Sequence, residues 1–83
     1  MLIQFYDRGS PPGKRLFADL ENICQRLQIT PDPEYIREMH RPHSMGIQGK
    51  SILMINGQVV SVDKLPSAKE LEEILEDYQE DNY

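Results

Sequence analysis

Eighty-three residues with a formal charge of −5 make one small domain, and that charge excludes nucleic acid or an anionic membrane as its main partner. Hydrophobic residues are 39% of the chain, with two Phe and no Trp, so the core is modest and aliphatic. One cysteine, Cys24, rules out an intrachain disulfide and with it a disulfide-stapled secreted fold.

Leu2 to Asp7 is apolar and aromatic-rich without strict alternation, which predicts a strand covered on both faces. It carries no basic n-region or long apolar run, so it is not read as a signal peptide. No apolar stretch approaches the ~20 residues of a membrane span, and a cytoplasmic location is expected. Arg8-Gly9-Ser10-Pro11-Pro12-Gly13 breaks the strand.

From Lys14 the spacing becomes helical, with Leu16, Phe17, Leu20, Ile23, Cys24 and Leu27 on one side. This helix should end near Gln28, before Thr30-Pro31-Asp32-Pro33. A second strand is expected over Glu34 to Met39. His40 to Lys50, with Pro42, Gly46 and Gly49, supports at most a short helical turn.

Ile52–Ile55 and Gln58–Val62 flank Asn56-Gly57, the strongest short signal for a β-hairpin. Ser67-Ala68-Lys69-Glu70 has the form of a capping box. Ala68, Leu71, Ile74, Leu75 and Tyr78 then form the stripe of a last helix. Residues 1–78 form the domain, and 79–83 are read as a frayed acidic tail. The charge is uneven: seven of the fourteen acidic residues, and no basic ones, lie between Glu70 and Tyr83. The order strand, helix, strand, short helix or loop, hairpin, helix implies an α/β fold. It combines a parallel pair with an antiparallel hairpin in a four-stranded mixed sheet, packed by two main helices and at most a short third.

Several stretches in register resemble the small thioredoxin-like proteins called redox-active disulfide proteins. Ile3-Gln4-Phe5-Tyr6 with Gly9, Pro11 and Lys14 is similar to the family's first strand and the start of its active-site helix. Leu53 to Ser61 is similar to its hairpin, and Leu65-Pro66-Ser67 with the following helix to its C-terminal end. The resemblance covers nearly the whole chain and implies a thioredoxin-like fold.

The departures carry the functional expectation. The family's Cys-Pro-x-Cys falls on Ser10-Pro11-Pro12-Gly13, so both sulfurs are missing. Its Thr-Pro before the hairpin falls on Lys50-Ser51, so that peptide bond is expected to be trans. Dithiol exchange needs an attacking thiolate and a resolving sulfur, and this chain supplies neither there. Ser10 is read as a helix N-cap rather than a nucleophile. Pro12 is expected to delay the helix by one residue, because Pro11 before it disfavours the α region. Gly13 is expected to let a partner's backbone approach.

In such a fold, the loops after the first two strands and the segment before the hairpin meet at one end of the sheet. The candidate binding face there is Arg8, Ser10, Pro11, Pro12, Gly13, Lys14, Arg41, Lys50 and Ser51, with His40 and His43 nearby. The function read from this is a redox-inactive adaptor for a protein partner or a small anion, acting as a monomer or weak dimer and needing no cofactor. An alternative is a copper-type site of His40, His43, Met39 and Met45, since imidazole and thioether ligands suit Cu(I). A single-thiol role for Cys24 is the other alternative, although mid-helix between Leu20 and Leu27 it reads as a small buried hydrophobe. Met39 and Met45 otherwise read as core edges under the short loop.

Overall fold

β1 (Ile3–Asp7) and β3 (Ser51–Ile55) each bury all five of their residues, because they occupy the middle of a sheet covered on both faces. The computed structural model describes residues 1–80. Its remaining elements are α1 (Pro11–Arg26), β2 (Glu34–Ile36), α2 (His40–Ser44), β4 (Gln58–Val62) and α3 (Ala68–Glu80). The four strands run in the order β2-β1-β3-β4. β1 and β2 are parallel and joined through α1, whereas β1–β3 and β3–β4 are antiparallel.

Period-two alternation sends successive side chains of the central strands to opposite faces. Ile3, Phe5, Leu53 and Ile55 meet Leu16, Leu20, Ile23 and Cys24 of α1 and Leu71 and Leu75 of α3. On the other face Tyr6, Ile52 and Met54 pack with Met39, flanked by Ile36, Ile47 and Val62. The mixed α/β class and the four-stranded mixed sheet are therefore as the sequence implied, with α2 as the short third helix.

Helix α1 starts at Pro11 rather than later. Ser10 caps it, its Oγ accepting from the Gly13 N–H at 3.1 Å, and Pro11 and Pro12 fill the first two positions. No intrahelical bond is lost there, since the first N–H groups of a helix have no partner in it. The bias against a helical residue before proline is weaker than this cap. At the other end α1 stops at Arg26, two residues before the expected Gln28. Gln28 adopts φ 56° in the left-handed region, with its N–H on Gln25 O at 3.3 Å and the Ile29 N–H on Cys24 O at 2.9 Å. That closure favours glycine. Gln28→Gly is expected to stabilise the domain by about 0.5–1 kcal/mol, read as a higher urea midpoint at unchanged slope.

β2 is three residues long, not six. Pairing with β1 ends at Tyr6↔Ile36, because Asp7 turns into the corner before α1 and Met39 is drawn into the second core. Asn56 (φ 53°) and Gly57 (φ 80°) form the hairpin turn. The capping box closes as expected, with Glu70 N–H to Ser67 Oγ and Ser67 N–H to Glu70 Oε1, both at 3.2 Å. Helix α3 continues through Gln79 and Glu80, which the sequence pattern assigns to the tail. Gln79 Nε2 donates to Leu27 O at 3.0 Å and ties the last turn to the end of α1. Residues 81–83 lie outside the described residues. Two apolar assignments also change: Ala68, placed in the stripe of α3, is exposed, and Met45 is 50% exposed instead of lying at a core edge. Among the described residues no helix is long and apolar enough to cross a membrane.

Candidate functional site

Asp7 ends β1 directly beneath the first turn of α1, and only 1% of it is exposed. A charge this buried needs partners, and the corner provides them. The backbone N–H groups of Gly9 and Ser10 donate to Oδ2 at 3.0 and 2.9 Å. Tyr35 Oη donates to the same oxygen at 2.6 Å. Ser51 Oγ donates to Oδ1 at 2.7 Å, and Ser10 Oγ lies 2.9 Å from Oδ1 and 3.2 Å from Oδ2.

Burial by itself raises the Asp7 pKa. The hydrogen bonds from Ser51, Tyr35 and Ser10 overcome it and hold the carboxyl at about 2. Burial, together with the bond to Asp7, pushes the Tyr35 phenol up to about 12, so it remains a proton donor. Tyr35 is positioned by aromatic contacts, its ring centroid 5.7 Å from Phe5 and 5.0 Å from Phe17.

This arrangement changes the reading of two residues. Ser10 Oγ accepts from the Gly13 N–H while donating to Asp7, so the helix cap and the carboxylate form one relay. Gly13 is buried, and a Cβ there would collide with the Asp7 carboxylate. Its missing side chain admits an internal group of this chain, not the backbone of a partner. Ser51 is buried as well, with its hydroxyl committed to Asp7. Gly13 and Ser51 therefore support the candidate face from below and do not form its surface.

The rest of the face divides. A cleft above Asp7 has Ser10 and Ser51 at its floor and Arg8, His43, Gly49, Lys50 and Asp63 around it. Pro11, Pro12 and Lys14 are exposed on the first turn of α1, and Arg41 is exposed on α2. None of these four lines the cleft. The Lys50–Ser51 bond is trans, as expected; Thr30–Pro31 is the one cis peptide among the described residues.

Asp63 joins the two sides of this end. At φ 57° just beyond β4, its Oδ1 accepts from the N–H groups of Lys50 at 2.6 Å and Ser51 at 3.0 Å. Those bonds hold its carboxyl below the usual carboxylate range. Asp7, Tyr35 and Asp63 were all missed from the sequence. The one signal for Asp7 was an acid ending an otherwise apolar strand immediately before a serine cap.

The proposed copper ligands are distributed differently. Met39 is buried in the second core, whereas His40 is exposed, with Nε2 3.7 Å from Glu38 Oε2. Among the described residues no group of three or more His, Cys, Asp or Glu is placed to hold a metal. Cys24 is buried in the main core, and burial, with Asp32 and Glu21 adding to it, pushes its thiol up. Such a thiol has little thiolate with which to react.

No known family model matches the chain, and none of the curated proteins matches it significantly.

Proposed function

We propose that this chain is a thioredoxin-like domain without dithiol chemistry that serves as an adaptor, binding a protein partner through the cleft above Asp7. The sheet order and the placement of α1 and α3 on one face, with Met39 and Ile47 from either side of α2 on the other, support the fold assignment. The functional reading rests on one observation. The two positions where sulfurs would stand, Ser10 and Gly13, are both committed to a buried carboxylate, one by hydrogen bonding and the other by close packing. An ionised carboxylate at that point opposes formation of a thiolate. It also uses the donors with which the start of α1 would hold a free anion, which favours a protein partner over a small anion.

Photo-crosslinking tests this reading. A crosslinking amino acid at position 50 is expected to give one defined product in lysate of the source cells, suppressed by excess unmodified domain. The same group at position 73, exposed on α3, should give none. A competable product at position 73 and none at position 50 would sink the proposal.

A further inference from the structure

The two faces of the sheet are covered by unlike means. Helices α1 and α3 pack on one, whereas on the other Met39 and Ile47, from either side of the short helix α2, pack with Tyr6, Ile52 and Met54. Pro42 is buried within α2. Every polar fastening of residues 38–48 is local: among the described residues, their hydrogen bonds all end inside the same stretch. The N–H groups of His43, Gly46 and Ile47 donate to Met39 O, His43 O and Pro42 O at 3.1, 3.1 and 2.9 Å. Ser44 Oγ donates to Arg41 O at 2.8 Å and the His40 N–H to Glu38 Oε2 at 2.9 Å. The ion pair of His40 with Glu38 is internal too. Helix α2 has no side-chain cap, and its five residues are far too few to hold a helix on their own. The chain is clamped on either side of this stretch. Ile36 is paired with Tyr6 in the sheet, and the Lys50 N–H is held by Asp63 Oδ1. Gly49 passes so close to Val62 that a Cβ there would collide with it.

The local stability of a segment is set by the contacts that must break to open it. Opening residues 38–48 costs the apolar contacts of Met39, Pro42 and Ile47 and no hydrogen bond to the rest of the domain. Opening the sheet costs its ladders and the main core as well. We propose that residues 38–48 are a flap that opens as one unit while the four strands, α1 and α3 stay folded. His43 is on the flap and also lines the cleft above Asp7, so opening withdraws one wall of that cleft. It also uncovers Tyr6, Ile52 and Met54, which are at most 1% exposed when the flap is closed. The cleft therefore has a closed and an open state, with the second core as the latch between them. The flap is a property of the domain by itself, and its failure would leave the adaptor reading standing.

Native-state hydrogen exchange on the purified full chain, followed residue by residue by NMR, tests the flap. Corrected for intrinsic rates, the amides of His43, Met45, Gly46 and Ile47 are expected to share one opening constant. It should be at least ~100-fold larger than that of the β1 and β3 amides. Low urea should speed exchange in β1 and β3 and leave the flap amides unchanged, because opening the flap exposes far less surface. Ile23→Val in the main core should speed exchange in β1 and β3 by about threefold to tenfold, and in the flap by less than about twofold. Met39→Ala should speed the flap amides at least ~10-fold. Ile47→Val, a milder loosening of the same latch, should do so about threefold and serves if Met39→Ala fails to fold. Flap amides that follow β1 and β3 in urea or in Ile23→Val open only by global unfolding, which overturns the proposal. So do flap amides without protection, four unrelated opening constants, or flap exchange unchanged when the latch is loosened.

Discussion

Asp7→Asn is expected to destabilise the domain by about 3 kcal/mol or more, a large share of the roughly 5–15 kcal/mol that holds a typical domain together. The carboxylate accepts from Gly9, Ser10, Tyr35 and Ser51, and every one of those partners is a donor. Asparagine keeps the shape but turns one acceptor into an NH₂ group. That group faces donors, leaving the Tyr35 hydroxyl or the corner N–H groups unpaired beneath the sheet. Hydrogen bonds to a charged group contribute roughly 1.5–3 kcal/mol, and a buried donor left without a partner costs a similar amount.

The acid limb of stability provides an independent reading of the same variant. Asp7 titrates at about 2 in the folded protein against an ordinary 3.8. A depressed folded value contributes stability that is complete above the ordinary value and disappears as pH falls from about 4 to about 2. At ~1.4 kcal/mol per unit the difference amounts to about 2 kcal/mol. Urea unfolding between pH 5 and pH 2 should show that loss in the parent protein and a much flatter profile in Asp7→Asn. A shallow slope remains, because Asp63 is also held below its ordinary value. The same acid slope in both proteins would mean that Asp7 is not the ion responsible.

Sequence and structure agree where one physical cause dominates. The hairpin turn and the capping box each depend on contacts within four residues, and both formed as read. The two central strands were legible because burial on both faces leaves a continuous apolar run. β2 was overextended because Tyr35, Ile36 and Met39 share an apolar character while serving different ends. Tyr35 reaches Asp7, Ile36 closes the parallel pair, and Met39 is in the second core. The start of α1 differs for a similar reason: the local bias against Pro-Pro yields to the Ser10 cap and the carboxylate that holds it. Asp7 itself was invisible because its partners come from positions 9, 10, 35 and 51, a set that only the sheet assembles. The basic end of the molecule was legible as charge. Its division into a buried support (Gly13, Ser51), an outer helix turn (Pro11, Pro12, Lys14) and the cleft above Asp7 was not, since burial is a property of the assembled fold.

Gly13→Ala separates the local rule from the tertiary one most sharply. In an exposed helix interior, replacing glycine by alanine is worth about 1 kcal/mol of added stability. Here a Cβ would collide with the Asp7 carboxylate, which its surrounding donors hold in place and which cannot swing aside like the end of a flexible chain. Overpacking of this kind typically costs about 1–3 kcal/mol, so after that gain a net loss of up to about 2 kcal/mol is expected in urea unfolding. The cause is isolated by repeating the change in an Asp7→Ser background, which shortens the obstructing side chain. There Gly13→Ala should be neutral or stabilising, a coupling of about 1–3 kcal/mol between the two positions. Additive effects would show that the carboxylate is not what excludes a side chain at position 13. The coupling bears directly on whether position 13 can hold a cysteine, because a cysteine carries the same Cβ. Placing sulfurs here with Ser10→Cys and Gly13→Cys should destabilise the domain unless Asp7 is shortened as well. In this chain, the bare glycine at position 13 and the carboxylate buried under the helix are therefore one structural choice.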